Sequence, residues 1–160
     1  SRRHGANKAR NNHVTYHESN DLHAFWKILD ERLRTRHNNK PVHTVDEMIR
    51  LQDSFPEQIR LFVATMDDEV VAGTLIYETE QTAHTQYIAS TEQGRSVRAL
   101  DGLLKYLIEE VFAHKRYFDF GTSMEPGSDH ISEGLFMQKG EFGARTIVYD
   151  TYLIRLTIDN

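Results

Sequence analysis

The stretch "IRLFVATMDDEVVAGTLIYETEQTAHTQYIAST", residues 59 to 91, decides the fold of this 160-residue chain. It contains three apolar runs rich in β-branched and aromatic residues, and acidic turn residues from Asp67 to Glu69 separate the first two. Apolar runs of this kind, joined by short polar turns, are typical of β-hairpins. The stretch therefore predicts three strands in an antiparallel meander.

Before the meander, the sequence predicts one strand and two helices. Residues 13 to 19 alternate apolar and polar side chains, which is the period of a half-buried strand. From residue 20 to Arg36, apolar residues recur at intervals of three and four, which predicts an amphipathic helix. Thr44 and Glu47 have the spacing of a capping box, and the apolar stripe after them ends at Pro56, so a second helix is predicted there.

After the meander, we predict two further helices and two further strands. "RSVRALDGLLKYLIEEVFAHK", residues 95 to 115, carries its leucines on one face and predicts the longest helix of the chain. A short strand follows at "YFDFG", then a short helix at residues 130 to 139 and a long final strand at "RTIVYDTYLIRL". The predicted order is β-α-α-β-β-β-α-β-α-β, an α+β fold in which helices cover both faces of a central, mostly antiparallel mixed sheet.

Composition narrows the class of protein. The chain has 19 Lys and Arg against 24 Asp and Glu, a formal net charge of -5, so as a whole it repels DNA and anionic membranes. It has no cysteine, which excludes disulfides and thiolate sites and fits a reducing compartment, so we expect the cytoplasm. No apolar run reaches the length of a membrane span, and no signal peptide opens the sequence.

Residues 1 to 160 are predicted to form one domain. The sequence shows no internal repeat, no low-complexity tract and no linker. It begins at Ser1 without an initiator Met, and its first dozen residues are polar without periodicity. We therefore expect the C-terminal domain of a longer protein.

A turn-rich stretch between residues 117 and 145 is the first candidate site. It places Gly121 and two further glycine turns beside three polar residues, Asp119, Ser123 and Lys139. One interpretation is a tight structural corner, in which Asp119 caps the turn and Lys139 complements a helix dipole. The other is a site that holds a small molecule against backbone amides.

A basic cluster that includes Arg36 also has two interpretations, as a phosphate contact or as a solvated helix face.

The order of elements resembles the GNAT acyltransferase fold. "YFDFGTS", followed about a dozen residues later by "GLFMQKGEFGAR", resembles the FemAB-like branch of that superfamily. "RLRTRHN" and "FPEQIRLFVATMDDEVVAGTLIY" are positioned as in the second of the two GNAT-like domains of such proteins. The resemblance covers most of the chain, and each motif alone is weak.

This resemblance implies an N-acyltransferase that moves an acyl or aminoacyl group onto an amine. The donor would be acetyl-CoA, another acyl-CoA or a charged transfer RNA, and no metal is needed. The alternative is a catalytically silent GNAT-like domain that serves as the binding half of a two-domain transferase, beside an upstream GNAT-like domain.

In the family, the donor lies where two strands splay apart, and its pyrophosphate lies at the start of the next helix. The resemblance places the backbone amides for the acyl group in the third strand of the meander and the phosphate contacts just after it. "EQGRSVRAL" lacks the usual glycine spacing of the family loop. The implied donor-binding residues are Tyr87, Ile88, Ala89, Ser90, Gly94, Arg95, Ser96 and Arg98.

The resemblance also implies a base for the amine and an acid for the leaving group. Many members have a tyrosine near the start of the last helix, where this chain has Phe136. Tyr149 and Tyr152 are alternatives for that acid, or half-buried packing residues. Glu78 and His84 flank the central hairpin, where a base could face the acceptor. The predicted catalytic residues are Lys139, Asp119, Glu78 and Tyr149, and the predicted substrate-binding residues are Gly121, Ser123 and Arg36.

Other chemistries find no support in the sequence. Of the nine histidines, His13 and His17 lie on one face of a predicted strand, about 13 Å apart at ~3.3 Å per residue, which is too far to share a metal ion. The sequence has no G-x-S-x-G, P-loop or H-E-x-x-H motif, so hydrolase, NTPase and zinc-protease functions are not indicated.

Overall fold

The structure is a computed structural model, and it describes residues 2–37, 40–125, 127–128, 130–148, 150 and 152–154, with the backbone alone at residues 2, 3, 36 and 37. Two compact units are present, Ser1–Thr122 and Ser123–Asn160. Each unit is described by itself below.

A five-stranded sheet forms the centre of the first unit. The strands follow one another in chain order across the sheet; the first four are antiparallel, and the fifth runs parallel to the fourth. The predicted meander is confirmed, and Asp67 and Asp68 form its first turn with φ of 51° and 63°, as a two-residue hairpin requires. The strands are β1 Thr15–Ser19, β2 Ile59–Met66, β3 Glu69–Glu78, β4 Thr82–Ser90 and β5 Tyr117–Asp119.

Helices cover both faces of this sheet. The predicted capping box is present, since Thr44 N donates to Glu47 Oε2 at 2.7 Å and Glu47 N donates to Thr44 Oγ1 at 3.2 Å. The hydrogen bond from the Thr44 backbone lowers the pKa of the Glu47 carboxyl. The helices of this unit are α1 Arg2–Asn11, α2 Leu22–His37, α3 Val45–Ser54, α4 Glu92–Ser96 and α5 Ala99–Tyr106.

Alternation along β2 divides the core between the two faces. Phe62 and Ala64 pack with α1 and α5 on one face, while Leu61 and Val63 pack with α2 and α3 on the other. We call these the α5 face and the α2 face. Their largest fully buried side chains include Leu103 and Leu107 on the α5 face, and Phe25, Leu22 and Met48 on the α2 face.

The N-terminal segment differs from its prediction, because residues 2–11 form a helix that packs on α5. Ala9 is fully buried. A Cβ at Gly5 would lie 2.1 Å from Asp101 Oδ2, and one at Gly102 would lie 3.1 Å from Ala9 Cβ. Contacts of small residues at this distance bring the two helices together, and such tertiary packing leaves no periodic signal in a polar sequence.

The predicted long helix at residues 95–115 is interrupted. Arg98 has φ of 62°, a left-handed conformation that ends α4 and starts α5. After α5 the chain widens into a π-helical turn, Leu107–Val111, in which Phe112 N donates to Leu107 O at 2.8 Å. Among the described residues, the longest helix is therefore α2, with 16 residues.

The second unit contains a short antiparallel bridge between Met124 and Ile131 and the helix α6, Glu133–Gly140. This helix matches the one predicted at residues 130–139. The predicted final strand at residues 145–156 does not form in the part of it that is described, residues 145–148, 150 and 152–154. Alternation alone specifies no partner, and a strand needs the ladder hydrogen bonds of a neighbour.

Candidate active site

The strands β4 and β5 separate in the middle of the sheet. They pair at only three positions, Thr82 with Tyr117, Ala83 with Phe118 and His84 with Asp119, while β4 continues to Ser90. In the described part of the chain, no strand lies beside β4 on this side after His84. We call this edge of residues 85–90 the open edge of β4.

A β-bulge accompanies the separation. Thr85 pairs with Ile76 and Tyr87 pairs with Leu75, so Gln86 is an extra residue in β4. A bulge bends the strand that contains it and increases its twist, and bulges are frequent beside active sites. The bulge lies just after His84, the last residue of β4 that pairs with β5.

The pairing of β4 with β3 determines which amides face the open edge. Thr91 N donates to Val71 O at 2.9 Å, and in an antiparallel pair the amides that point to the partner strand alternate. By this register, the amides of Tyr87 and Ala89 point to β3, and those of Ile88 and Ser90 point to the open edge. Of the four predicted amides, two face the place where a donor was expected.

His84 and Asp119 meet where the two strands separate. His84 Nδ1 lies 2.8 Å from Asp119 Oδ2, and the side chains are 33% and 42% exposed, so both side chains are accessible. Asp119 Oδ1 accepts a hydrogen bond of 2.8 Å from Gly121 N, and Thr85 Oγ1 donates to Asp119 O at 3.2 Å. Asp119 therefore caps the turn, as one interpretation predicted, and also orients a histidine.

Gly121 supplies the turn geometry at this point. Its φ is 69°, a conformation that L side chains rarely adopt, and a Cβ there would lie 3.4 Å from His84 Cε1. The glycine lets the chain after β5 turn sharply beside the imidazole. The predicted role of Gly121 in binding a substrate stays a prediction.

Glu78 lies on the α5 face, opposite to His84. Its carboxylate forms two salt bridges: Arg60 Nη1 lies 2.9 Å from Oε2, and Lys115 Nζ lies 2.9 Å from Oε1. Burial alone would raise the pKa of the Glu78 carboxyl, but the hydrogen bonds from Lys115 and Arg60 outweigh it and lower that pKa. A carboxylate stabilised in this way is a weak base, and the structure does not bring Glu78 together with His84 and Asp119.

The segment after β4 makes internal contacts. Gly94 N donates to Thr91 Oγ1 at 3.0 Å, and a Cβ at Gly94 would lie 2.1 Å from Val71 O. Close packing on β3 therefore requires this glycine. Arg95 Nη1 donates to Ser90 O at 2.9 Å, and Ser96 Oγ donates to Gln93 O at 2.8 Å.

Arg98 is placed differently from these neighbours. It stands at the start of α5, its side chain is 47% exposed, and its Nε lies 3.4 Å from Asp101 Oδ2. A guanidinium carries five donors, so this one contact leaves it able to bind an anion as well. Arg95, Ser96 and Arg98 are all exposed, and of the three the Arg98 side chain is the one that contacts a carboxylate.

Four further predicted site residues belong to the second unit or have no described side chain. Lys139 is in the last turn of α6 and Ser123 O accepts from Ser132 N at 2.8 Å, both within the second unit. Tyr149 lies outside the described residues, and for Arg36, at the end of α2, only the backbone is described. Their predicted roles stay predictions.

The sequence analysis missed a second hydrogen-bonded histidine, His43, whose partner is a tyrosine. His43 Nδ1 lies 2.7 Å from the Tyr87 hydroxyl, and the Tyr87 ring contacts Trp26 edge to face at 5.3 Å between centroids. The residues His43 and Tyr87 are 44 positions apart, so no local pattern could have indicated the contact. All three side chains lie on the α2 face of the sheet.

A separate cleft of about 540 Å³ lies at the other end of the sheet, where Glu18, Arg60, Glu78 and Lys115 form its charged lining. These side chains form ion pairs with one another, and the cleft is not at the open edge of β4.

Across the described residues, no three His, Asp or Glu side chains are grouped as a metal site would need. No helix in that part of the chain has the length and apolar character to cross a membrane.

Solved structures share this fold. A possible acetyltransferase from Clostridium difficile 630 superposes with a TM-score of 0.66 at 12% identity, over 90% of this chain and 98% of that chain. FemX gives a TM-score of 0.68 at 12% identity over 86% of this chain and 52% of FemX, so the chain spans about half of that protein. An aminoglycoside acetyltransferase, meta-AAC0020 from an uncultured soil metagenomic sample, gives 0.58 at 16% identity over 91% and 99%.

At such identities these likenesses establish the fold, and the sequence itself establishes the family. No curated protein sequence matches the chain. The family model described as the acetyltransferase (GNAT) domain matches residues 1–130, which is most of the chain. The α+β fold with its mixed five-stranded sheet is thus confirmed, and the chain belongs to the GNAT acetyltransferase domain family.

Proposed function

We propose that this protein is an N-acetyltransferase that transfers the acyl group of acetyl-CoA, or of another acyl-CoA, to an amine. The observation that carries the proposal is the separation of β4 from β5 after His84, which leaves the Ile88 and Ser90 amides facing the open edge. Fixed backbone donors stabilise the negative charge that develops on a carbonyl oxygen during acyl transfer. These two amides would hold the thioester carbonyl.

His84 is the proposed general base. Because Asp119 bonds Nδ1, the carboxylate favours the tautomer in which Nδ1 carries the hydrogen and Nε2 is free to accept a proton. His84 would take the proton that the amine loses as its nitrogen bonds the acyl carbon, and the carbon–sulfur bond then breaks. Asp119 is a positioning residue in this mechanism, and it replaces Glu78 as the carboxylate of the site.

The donor's phosphates would lie beyond the end of β4. Arg98 suits them, because its side chain is half exposed and stands at the N-terminus of α5, where helix amides favour anions. Arg95 and Ser96 are less suited, because their side chains bond the backbone nearby. Coenzyme A supplies the leaving thiol when it is bound; orientation and proton transfer fall to the chain's own residues.

A FemAB-like role is the second candidate. The chain covers about half of FemX, and Gly94 has a packing role in a segment that departs from the family's glycine loop. Both observations favour a domain that works beside a second GNAT-like domain, with a charged transfer RNA as donor or with no chemistry of its own. In that case Lys139 and Ser123 would contact the acceptor or the partner domain.

Acetyl-CoA should raise the melting temperature of the purified chain. A ligand at 100 times its Kd adds about 2.7 kcal/mol to the free energy of unfolding, roughly 5–10 °C for a chain of this size. The measurement is differential scanning fluorimetry at millimolar acetyl-CoA, with adenosine 3′,5′-bisphosphate as the control that lacks the thioester arm. Release of free thiol with a panel of primary amines then reports transfer.

The second candidate predicts a different result. A silent domain or one that uses transfer RNA would show no rise with acetyl-CoA and no thiol release. That outcome would contradict the proposed donor.

A further inference from the structure

We propose that Tyr87, hydrogen-bonded to His43, is the general acid that protonates the departing thiolate. This inference rests on the proposed function and adds a catalytic residue to it. A thiolate leaves more readily when a proton reaches the sulfur as the carbon–sulfur bond breaks, so an acid on the donor's side of the site would accelerate this step. The position of Tyr87, its hydrogen-bond partner and its rigid ring each support the assignment.

The bulge in β4 places Tyr87 and His84 on the same face. In a regular strand, residues three apart point to opposite faces of the sheet. The extra residue Gln86 reverses this relation, since His84 pairs with Tyr77 and Tyr87 pairs with Leu75, both on the α2 face. The base and the phenol therefore face the same side of β4. Pairing of β4 with β5 ends at His84, and Tyr87 follows three residues later, in the part of β4 that has no pairing with β5.

Tyr87 is also next to the amide that would hold the acyl group. Ile88, the following residue, directs its N–H to the open edge by the β4 register. A phenol on the neighbouring residue belongs to the same short stretch of strand as this amide. Of the tyrosines in β3 and β4, Tyr77 has its hydroxyl on Met48 Sδ at 3.7 Å, and burial raises the pKa of its phenol.

The Tyr87 phenol has a partner that can replace its proton. His43 Nδ1 lies 2.7 Å from the hydroxyl, and the two rings meet edge to face at 85°. Trp26 holds the Tyr87 ring from α2, also edge to face, at 74°. The hydroxyl is thus fixed in direction, and an imidazole exchanges protons readily near neutral pH.

The protons balance over one turnover. As the nitrogen–carbon bond forms, His84 accepts a proton from the amine; as the carbon–sulfur bond breaks, Tyr87 donates its phenolic proton to the sulfur. His43 returns a proton to the Tyr87 phenolate. Solvent then removes one proton from His84 and supplies one to His43. The sum is thioester plus amine giving amide plus thiol, with no other reactant.

The test compares Tyr87→Phe with the unmodified protein on two donors. Phenylalanine keeps the ring against Trp26 and removes only the hydroxyl. With acetyl-CoA, we expect kcat to fall by about 10²-fold or more, as for loss of an acid catalyst. With phenyl thioacetate, whose thiol is more acidic, the loss should shrink to less than about tenfold because that thiolate needs little help to leave. Tyr106→Phe, on the α5 face, is the matched control and should transfer at the unmodified rate.

A spectroscopic measurement on the unmodified protein does not depend on turnover. With tyrosine labelled by ¹³C at Cζ, the Tyr87 resonance is the one that Tyr87→Phe lacks. We expect coenzyme A to shift this resonance and desulfo-coenzyme A, which has no sulfur, to leave it in place.

The outcomes separate this inference from the proposed function. The role of Tyr87 would be overturned if Tyr87→Phe lost kcat equally on both donors, if it lost none, or if both ligands shifted the Tyr87 resonance equally. Acyl transfer by the unmodified protein would still support the proposed function in each of these cases. No transfer and no acetyl-CoA binding by the unmodified protein would overturn both.

Discussion

Replacing His84 with glutamine is expected to lower kcat/KM for acyl transfer by about 10²- to 10⁴-fold, the range for loss of a general base. The reason is geometric. His84 lies where β4 and β5 separate, 33% exposed, and Asp119 holds its Nδ1 at 2.8 Å. Glutamine can still bond Asp119 but cannot accept a proton near neutral pH. Steady-state kinetics with acetyl-CoA and the best amine of the panel provide the measurement.

Asp119→Asn extends the test to the positioning residue. An amide oxygen can still accept from Gly121 N, so the turn is retained and the melting temperature should change little. Its NH₂ group would instead donate to His84 Nδ1 and place the imidazole hydrogen on Nε2, which then cannot accept a proton. Transfer should fall, though less than in His84→Gln.

Asp68→Asn, in the turn between β2 and β3, is the matched control for these variants. Asparagine tolerates its φ of 63° as well as aspartate does, so the variant should keep both stability and transfer. Unchanged transfer in His84→Gln and Asp119→Asn would show that the pair only caps a turn.

Gly94→Ala is expected to have the largest effect on stability. The new Cβ would lie 2.1 Å from Val71 O, 2.7 Å from Ser90 Oγ and 2.9 Å from Val71 C. Two of these atoms are backbone of β3, which cannot rotate away, so α4 must move off the sheet. Overpacking of this kind costs about 3 kcal/mol, which lowers the melting temperature by roughly 6–12 °C.

Gly134→Ala provides the comparison within the same chain. No atom lies within 4 Å of a Cβ at Gly134, which is in α6, so alanine there should be neutral or slightly stabilising. Thermal unfolding of the two variants is the measurement. A Gly94→Ala protein as stable as the unmodified one would mean that the packing of α4 on β3 does not require this glycine.

Local patterns in the sequence predicted much of the fold. The meander, the turn at Asp67 and Asp68 and the capping box at Thr44 depend on neighbouring residues, and each forms as predicted. The helix α1 and the break at Arg98 were missed. The contacts that hold α1, such as Gly5 against Asp101, join residues far apart in the sequence.

The candidate site was predictable only in part. Asp119 and Gly121 could be located because an acid and a glycine after a short strand are a recognisable turn. The partner of Asp119 is 35 residues away. Of the two residues that flank the hairpin, the sequence analysis named Glu78, and not His84, among the catalytic residues. The alternation of the sheet separates them, since it places Glu78 on the α5 face with Arg60 and Lys115.

Amide hydrogen exchange in β4 tests most directly whether the open edge binds the acyl donor. The Ile88 and Ser90 amides face that edge, while the Tyr87 and Ala89 amides bond β3 and serve as internal controls. On addition of acetyl-CoA, exchange at Ile88 or Ser90 should slow markedly, and exchange at Tyr87 and Ala89 should change little. If saturating acetyl-CoA left the exchange rate of each of the four amides unchanged, that result would contradict the proposed donor site.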